Sequence, residues 1–428
     1  MQGVFVLDTN YQPLMPCHPA RAKELLDKGK AAVYRRFPFT IILKYAVKAN
    51  NQPIQVKVDP GSRTSGIAVV AQFKRGLRCI WAAELHHRGQ MIRDKLLKRR
   101  QIRRSRRSRK TRYRQARFAN RRRPEGWLPP SLQSRVDNIA TWITRLYRFA
   151  PVDSISLELA RFDTQALQNP EIDGIEYQRG TLFGYEVWEY LLEKWGHKCV
   201  YCGAENVPLE KEHIIPKSCG GSNRVSNLTV ACHPCNQEKG DLTAEEFGFP
   251  HIHAQAKRPL KDAAAVNATR WALWRWYALT GLRVEVGTGG RTKYNRTRQD
   301  YPKAHWIDAA CVGASGEHVY IAPGHVPLLI QAAGRGSRQM CRMDRFGFPR
   351  TKPKCFKHVH GFQTGDRVKA VVTSDKKAGT YVGRIAVRAS GSFNITTTAG
   401  TVQGIRYTYC TLIQRIDGYA YSFLSAVD

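Results

Sequence analysis

Ile54, Val56 and Val58 alternate with Gln55, Lys57 and Asp59, and a period of two is what a strand needs to turn one face toward a core. Asp59-Pro60-Gly61 then turns the chain into Gly66-Ile67-Ala68-Val69-Val70, so this stretch reads as a β-hairpin. Residues 78–85 add a third strand, and Ser-Ile-Ser-Leu-Glu-Leu at 154–159, between Pro151 and Asp163, a fourth. Helical patterns follow at 176–195 and 261–280. Toward the C-terminus, short apolar runs at 361–368, 371–372, 379–387 and 405–416 alternate with glycine turns, which predicts a small antiparallel barrel. The chain contains no internal repeat.

Between Arg88 and Arg123 the apolar pattern disappears. The segment holds 15 Arg and 3 Lys against the single acid Asp94, a net +17, with almost no aliphatic residue beyond Ile102 and no proline before Pro124. Arginine is a good helix former, so the segment reads as one long helix of about 54 Å. With arginine on every face it has no apolar stripe to bury. It carries about half of the chain's net +35, and residues 324–428 carry a further +11. Self-repulsion of this size favours a polyanionic partner, nucleic acid or an anionic membrane. No apolar run approaches the roughly 18 residues of a spanning helix, and Met1-Gln2-Gly3-Val4 begins no signal peptide. A nucleic acid is therefore the expected partner, with a solvated charge run or a localisation signal as the plainer alternative for the helix. A hydrophobic content of 42% excludes wholesale disorder.

Eleven cysteines, an odd number in a chain of 428 residues, fit a reducing cytosol better than a disulfide scaffold. Cys199-x-x-Cys202 and Cys232-x-x-Cys235 present two thiolate pairs with the spacing of a tetrahedral Zn²⁺ site. Between and after them run Glu212-His213-Ile214-Ile215-Pro216, Gly220-Gly221-Ser222-Asn223, Asn227-Leu228 and Cys235-Asn236-Gln237-Glu238-Lys239-Gly240. These residues resemble the HNH nuclease motif. In such chemistry an imidazole deprotonates water, and a carboxylate with an amide oxygen holds one hard cation at the scissile phosphate. The resemblance implies His213 as general base and Glu212 with Asn236 as ligands of Mg²⁺, for which Mn²⁺ can substitute. It also implies that Asn227 orients the histidine backbone and that Lys239 contacts phosphate. The zinc would then staple a motif too short for a core of its own. A purely architectural zinc finger is the competing reading of the cysteines alone. His233, inside the second knuckle, is superfluous beside four thiolates. Cys341, Cys355, His358 and His360 could form a second zinc set, but their spacing matches no tight knuckle and unpaired thiols are the simpler reading.

A second constellation is scattered. Asp59 ends a strand, Glu158 lies in another, and His305 and Asp308 stand three apart in a helical stretch, facing the same way. Gathered carboxylates repel one another unless a cation neutralises them, and a two-metal phosphodiester site needs such ligands. Val58-Asp59-Pro60-Gly61 with Gly66-Ile67-Ala68, Leu157-Glu158-Leu159-Ala160-Arg161 and His305-x-x-Asp308 resemble the three segments of a RuvC domain, a nuclease of RNase H fold. By that match Asp59, Glu158 and Asp308 are Mg²⁺ ligands and His305 activates water. A turn or cap is the plainer reading of any one acid, and a phosphate-binding loop of an actin-like ATPase the competing reading of residues 59–66.

A RuvC-like domain interrupted by an arginine helix and then by an HNH module resembles the IscB family, compact RNA-guided nucleases thought ancestral to the CRISPR effector with the same two nuclease domains. Pro13-Leu14-Met15-Pro16 matches the motif of that family's first domain. The implied fold is a multidomain α/β protein: an N-terminal domain at 1–52, RuvC segments at 53–86, 125–190 and 251–322, a bridge helix at 87–124, an HNH module of ββα-metal type at 191–250, and a small β-barrel-like region at 323–428. The implied activity is cleavage of double-stranded DNA at a site paired with a guide, the ωRNA, inside a cytoplasmic prokaryotic ribonucleoprotein holding one protein copy and no membrane. The HNH site is expected to cut the guide-paired strand and the RuvC site the displaced one. Arg99, Arg100, Arg103, Arg104, Arg106, Arg107, Arg109, Arg112 and Arg114 are the expected nucleic-acid contacts of the bridge helix, and residues 323–428 the expected reader of guide and target-adjacent motif. An unguided structure-specific or homing nuclease uses the same catalytic residues, and a non-catalytic RNA-binding protein would account for the charge alone.

Overall fold

The computed structural model describes residues 2–47, 51–108, 124, 126–159, 187–221, 225–256, 263–334, 341, 343–346, 348–352, 356–374 and 376–424. At the N-terminus β1 (Val4–Leu7), β2 (Pro13–Cys17), β3 (Ala31–Arg35) and β4 (Thr40–Leu43) pair in the order β2-β1-β4-β3, with α1 (Pro19–Asp27) beside them. Pro13-Leu14-Met15-Pro16 thus forms an edge strand, where a proline's missing N–H costs no ladder bond. Leu14 packs with Val4, Val6, Ala22, Leu25 and Ile41 in a small core.

The central sheet begins with β5 (Ile54–Asp59), β6 (Thr64–Phe73) and β7 (Gly76–His86), an antiparallel meander. Two helices follow, α2 (Gly89–Ser108) and α3 (Pro130–Phe149). Then come β8 (Val152–Glu158), α4 (Val187–Lys194), β9 (Leu209–His213), β10 (Leu228–Cys232), α5 (His233–Lys239), α6 (Pro250–Ala256) and α7 (Ala263–Ala278). The chain continues through β11 (Arg283–Gly287), α8 (Gly289–Arg298), α9 (His305–Ala310), β12 (Val319–Tyr320) and β13 (Leu328–Ala332). The last part holds β14 (His358–Val359), β15 (Phe362–Gln363), β16 (Arg367–Val372), β17 (Gly379–Ala386), β18 (Ser392–Thr397), β19 (Gly400–Arg406), β20 (Cys410–Gln414) and β21 (Tyr419–Phe423). Strand order in the central sheet is β11-β8-β5-β6-β7-β13-β21, with β12 also pairing β7. β8 lies parallel to β5, and β11 parallel to β8.

Helices cover both faces of this sheet. On one, Ile54, Val56, Val58, Ile67 and Val69 pack against α3, whose Val136, Ile139, Trp142, Ile143, Leu146 and Phe149 recur at the three-to-four spacing of a buried stripe. Leu273 and Tyr277 add α7 to the same core. On the other face Ala68, Val70 and Ala82 meet Trp306, Ile307, Ala309 and Ala310 of α9. The polar side of β5 therefore faces a helix, not water. Lys57 there is fully buried and donates to the Val312 carbonyl and to Ser315 Oγ, each at 2.7 Å. Burial pushes its ammonium down to about 8. Glu285 on β11 accepts from Gln55 Nε2 at 3.1 Å, from Ser315 N at 2.9 Å and from the Ser156 and Ser315 hydroxyls. Burial alone would raise its carboxyl, but these hydrogen bonds hold it below the usual range. The network ties the loop after α9 to the sheet.

The arginine-rich helix is present over Gly89–Ser108, and residues 109–123 lie outside the described residues. Its Met91, Leu96, Leu97 and Ile102 are exposed, in keeping with a helix that buries no stripe. Toward the C-terminus β16–β20 form an antiparallel sheet in the order β19-β18-β17-β16-β20, around Val368, Ala370, Ile385, Phe393 and Ile395. Among the described residues no strand pair joins its two outer strands, so the barrel's closure is not seen. β13 and β21, both beyond residue 322, pair with each other and extend the central sheet. Among the described residues no helix is long and apolar enough to cross a membrane.

Candidate functional site

Asp59, Glu158, His305 and Asp308 line one open cleft of about 910 Å³ at the end of the central sheet. Chain geometry explains the convergence. Asp59 and Glu158 end the neighbouring strands β5 and β8, and α9 crosses β6 at Gly66 so closely that an added Cβ would lie 1.7 Å from the His305 carbonyl oxygen. Glycine at 66 is thus what lets α9 bring His305 and Asp308 down to Asp59. The Glu84 carboxylate accepts from His305 N at 3.1 Å, and Asn295 Nδ2 donates to the Cys311 and Gly313 carbonyls at 2.9 and 2.8 Å, fixing both ends of α9.

Each acid has its own partner. Arg270 of α7 forms an ion pair with Glu158, with both side chains under 10% exposed. Arg296 Nε of α8 lies 2.8 Å from Asp308 Oδ1. His305 Nδ1 stands 3.8 Å from Asp59 Oδ2. Burial, and after it the charge of Asp59, pushes the Glu158 carboxyl above the ordinary range despite Arg270, and the same two causes push Asp308 up to about 6. The neighbouring Asp59 carboxylate raises the His305 imidazole. Glu193 of α4, outside every motif above, lines the cleft as well, and the His197 imidazole 3.9 Å from its carboxylate holds its carboxyl below the usual range. The donors are carboxylate oxygens, the ligand type that suits a hard divalent cation. Their oxygens are not all mutually within 4.8 Å; among the described residues only four cysteines gather that tightly.

Those cysteines are Cys199, Cys202, Cys232 and Cys235, whose Sγ atoms lie within 4.8 Å of one another and fit a tetrahedral Zn²⁺. His233 takes no part in the cluster, and its Nδ1 instead meets Glu210 Oε1 at 2.8 Å. The motif shares its core with the helices on either side of it. Tyr190, Leu191 and Trp195 from α4 and Ile252 from α6 pack with Tyr201, Ile214, Leu228 and Val230, so the flanking helices supply what the motif lacks.

Around His213 the structure gives internal partners to several residues with expected roles. Lys239 points inward: its side chain has 0% exposure, and Nζ donates to Glu212 Oε1 at 2.6 Å and to the His213 carbonyl at 2.9 Å, so here it faces Glu212 instead of the surface. Glu212 receives the Tyr201 hydroxyl on its other oxygen, 2.7 Å away, and is 4% exposed. Asn236 donates to Glu210 Oε2 at 2.6 Å. Both oxygens of Glu212 are thus taken by Tyr201 and Lys239, whereas the Asn236 bond uses its amide NH₂ and not the oxygen that would ligate a cation. Asn227 clamps the peptide of Ile215, two residues past the histidine, through Oδ1 at 3.0 Å and Nδ2 at 2.9 Å. The carbonyl of His213 itself is held by Lys239. Of the expected bridge-helix contacts, Arg99, Arg100, Arg103, Arg104 and Arg107 are exposed on α2, which also carries Arg106, whereas Arg109, Arg112 and Arg114 lie outside the described residues. Cys355, one of the candidate second zinc set, lies outside them too, and the His360 ring stacks on Tyr407 at 3.7 Å.

Residues 199–251 match the family described as HNH endonuclease. The chain carries an HNH endonuclease module. Residues 4–180 match the family described as RRXRR protein, a span that includes α2, Asp59 and Glu158. Together the two matches bear out the resemblance to IscB-like nucleases. Among solved structures the chain is similar to Streptococcus thermophilus Cas9 in complex with the GGAA PAM, at 12% identity over 60% of this chain and 32% of that one, with a TM-score of 0.21. It is also similar to the Type II-C Cas9 enzyme from Actinomyces naeslundii, at 17% identity over 46% and 24%, with a TM-score of 0.15. The chain thus spans about a third or less of the length of these structures. No curated protein matches it in sequence.

Proposed function

We propose that the HNH endonuclease belongs to an RNA-guided DNA nuclease with two hydrolytic centres. The observation that carries this reading is the cleft, where carboxylates from the three distant segments expected of a RuvC domain meet at the end of one sheet, of core order β7-β6-β5-β8-β11. Asp59, Glu158 and Asp308 would hold Mg²⁺, which supplies Lewis-acid polarisation of the scissile phosphate. His305, half exposed beside Asp59, accepts the proton of attacking water, and Asp59 orients its ring. In the HNH module His213 is the corresponding base, its backbone fixed by Lys239 and the following turn by Asn227.

The HNH centre is assigned the guide-paired strand and the cleft the displaced strand. The exposed arginines of α2 contact phosphates of an ωRNA guide and its heteroduplex, neutralising charge that the helix cannot bury. The test is to purify the protein with its bound RNA, sequence that RNA, and offer duplex DNA with and without a matching site in Mg²⁺. Cleavage confined to the matching duplex and lost on RNA removal is expected; cutting that continues unchanged without RNA points to the unguided nuclease instead.

A further inference from the structure

Two arginines occupy the acidic cleft, and the hydrolytic reading assigns neither a role. Arg270 reaches Glu158 from α7, a helix fixed to the main core by the fully buried Leu273 and Tyr277, three and seven residues further on. Arg296 reaches Asp308 from α8, which is clamped to the end of α9 through Asn295. Both guanidinium groups are delivered by packed helices, one to each of two carboxylates. Asp59 instead faces His305. The cleft also carries Arg63, Lys293 and Lys303 in its wall. Three converging acids repel one another, and the two guanidinium groups offset part of that repulsion.

We propose that Arg270 and Arg296 are resident counter-cations of the cleft: they neutralise Glu158 and Asp308 until divalent cations bind, and then turn from the carboxylates to the phosphates of the incoming strand. The proposal rests on the reading of the cleft as a divalent-cation site. A cation must displace a guanidinium from each of these acids, so the cleft alone binds it weakly. A phosphodiester strand relieves that competition by offering the arginines another anion. Cation and strand thereby strengthen each other's binding, and by linkage the effect is reciprocal. Free protein then holds a poorly loaded centre, and loading coincides with arrival of DNA.

The test is Mn²⁺ binding to the full-length protein, read by calorimetry and by the electron paramagnetic resonance of free Mn²⁺, with and without a short single-stranded DNA. Binding lost in Asp59→Asn defines the cleft site. Arg270→Gln and Arg296→Gln are expected to tighten Mn²⁺ at that site by about tenfold or more, the scale on which a neighbouring opposite charge shifts a carboxylate's proton affinity. Arg270→Lys, which keeps the charge, should stay near wild type. DNA should tighten wild-type binding and have much less effect on the two glutamine variants. Circular dichroism checks that each variant is folded, and the more exposed Arg296 serves where Arg270→Gln is not. Unchanged or weaker Mn²⁺ binding in a folded glutamine variant overturns the proposal. Wild-type binding that Asp59→Asn does not reduce overturns the reading of the cleft itself.

Discussion

Lys239→Met separates the two roles that a lysine beside an HNH histidine can have. Its side chain has 0% exposure and stands 2.6 Å from a Glu212 carboxylate that is itself 4% exposed, so the pair is desolvated on both sides. Methionine refills most of the aliphatic volume, which makes lost charge rather than a cavity the main effect. Removing one partner of a buried pair costs about 3–5 kcal/mol. Glu212 keeps the Tyr201 hydroxyl, so the lower end applies, and about 3 kcal/mol raises the population of locally opened module by roughly 150-fold. Amide hydrogen exchange in zinc-loaded protein reads this directly in peptides covering β9 and α5. The double variant Glu212→Gln/Lys239→Met should recover part of the loss, because no unpaired charge is left behind. Wild-type exchange in Lys239→Met together with weakened, less salt-sensitive DNA binding would refute the argument and return Lys239 to a phosphate.

Three further outcomes are expected. His213→Ala should leave an enzyme that nicks only the displaced strand and Asp59→Ala one that nicks only the guide-paired strand, as strand-specific end labels would reveal; loss of both cuts from either single change contradicts two independent centres. Gly66→Ala should behave like Asp59→Ala in the same assay, since a Cβ 1.7 Å from the His305 carbonyl oxygen forces α9 away from β6, and retained cutting of the displaced strand would show that α9 accommodates it. Stripping zinc from Cys199, Cys202, Cys232 and Cys235 should expose the module to proteolysis while the central sheet stays resistant, although its flanking core makes the loss less complete than in an isolated zinc finger; a proteolysis pattern unchanged by zinc removal would count against a structural ion.

The sequence makes β5 legible because alternation survives burial of both faces, but it misplaces the polar face. Gln55 and Lys57 look like solvent positions, and they lie inside because Glu285 and Ser315, far along the chain, meet them there. The acids of the cleft are legible only as a set of separated segments, since no local spacing connects Asp59 to Asp308. Arg270 and Arg296 carry no sequence signal at all in a chain with 69 lysines and arginines. In contrast, α3 displays its stripe from Val136 to Phe149 openly, and β11 its alternation, yet the reading above has neither element. In the HNH module the motif names residue types but not the direction in which each side chain points. Whether Lys239 points at solvent or at Glu212 is decided by how α5 lies on β9, which the spacing does not encode.

The pairing of β13 with β21 gives the C-terminal sheet an unusual attachment. Ala332 and Tyr419 stand directly opposite each other, so residues 333–418 leave the central sheet and return to it at the same rung of the ladder. A unit whose two ends lie side by side is topologically a cassette. Such a cassette can be lengthened, trimmed or exchanged over evolution without altering the register of the strands that carry the cleft. It also joins the central sheet through two adjacent chain crossings instead of one, with Asp417 beside them paired to Arg35 and Arg145.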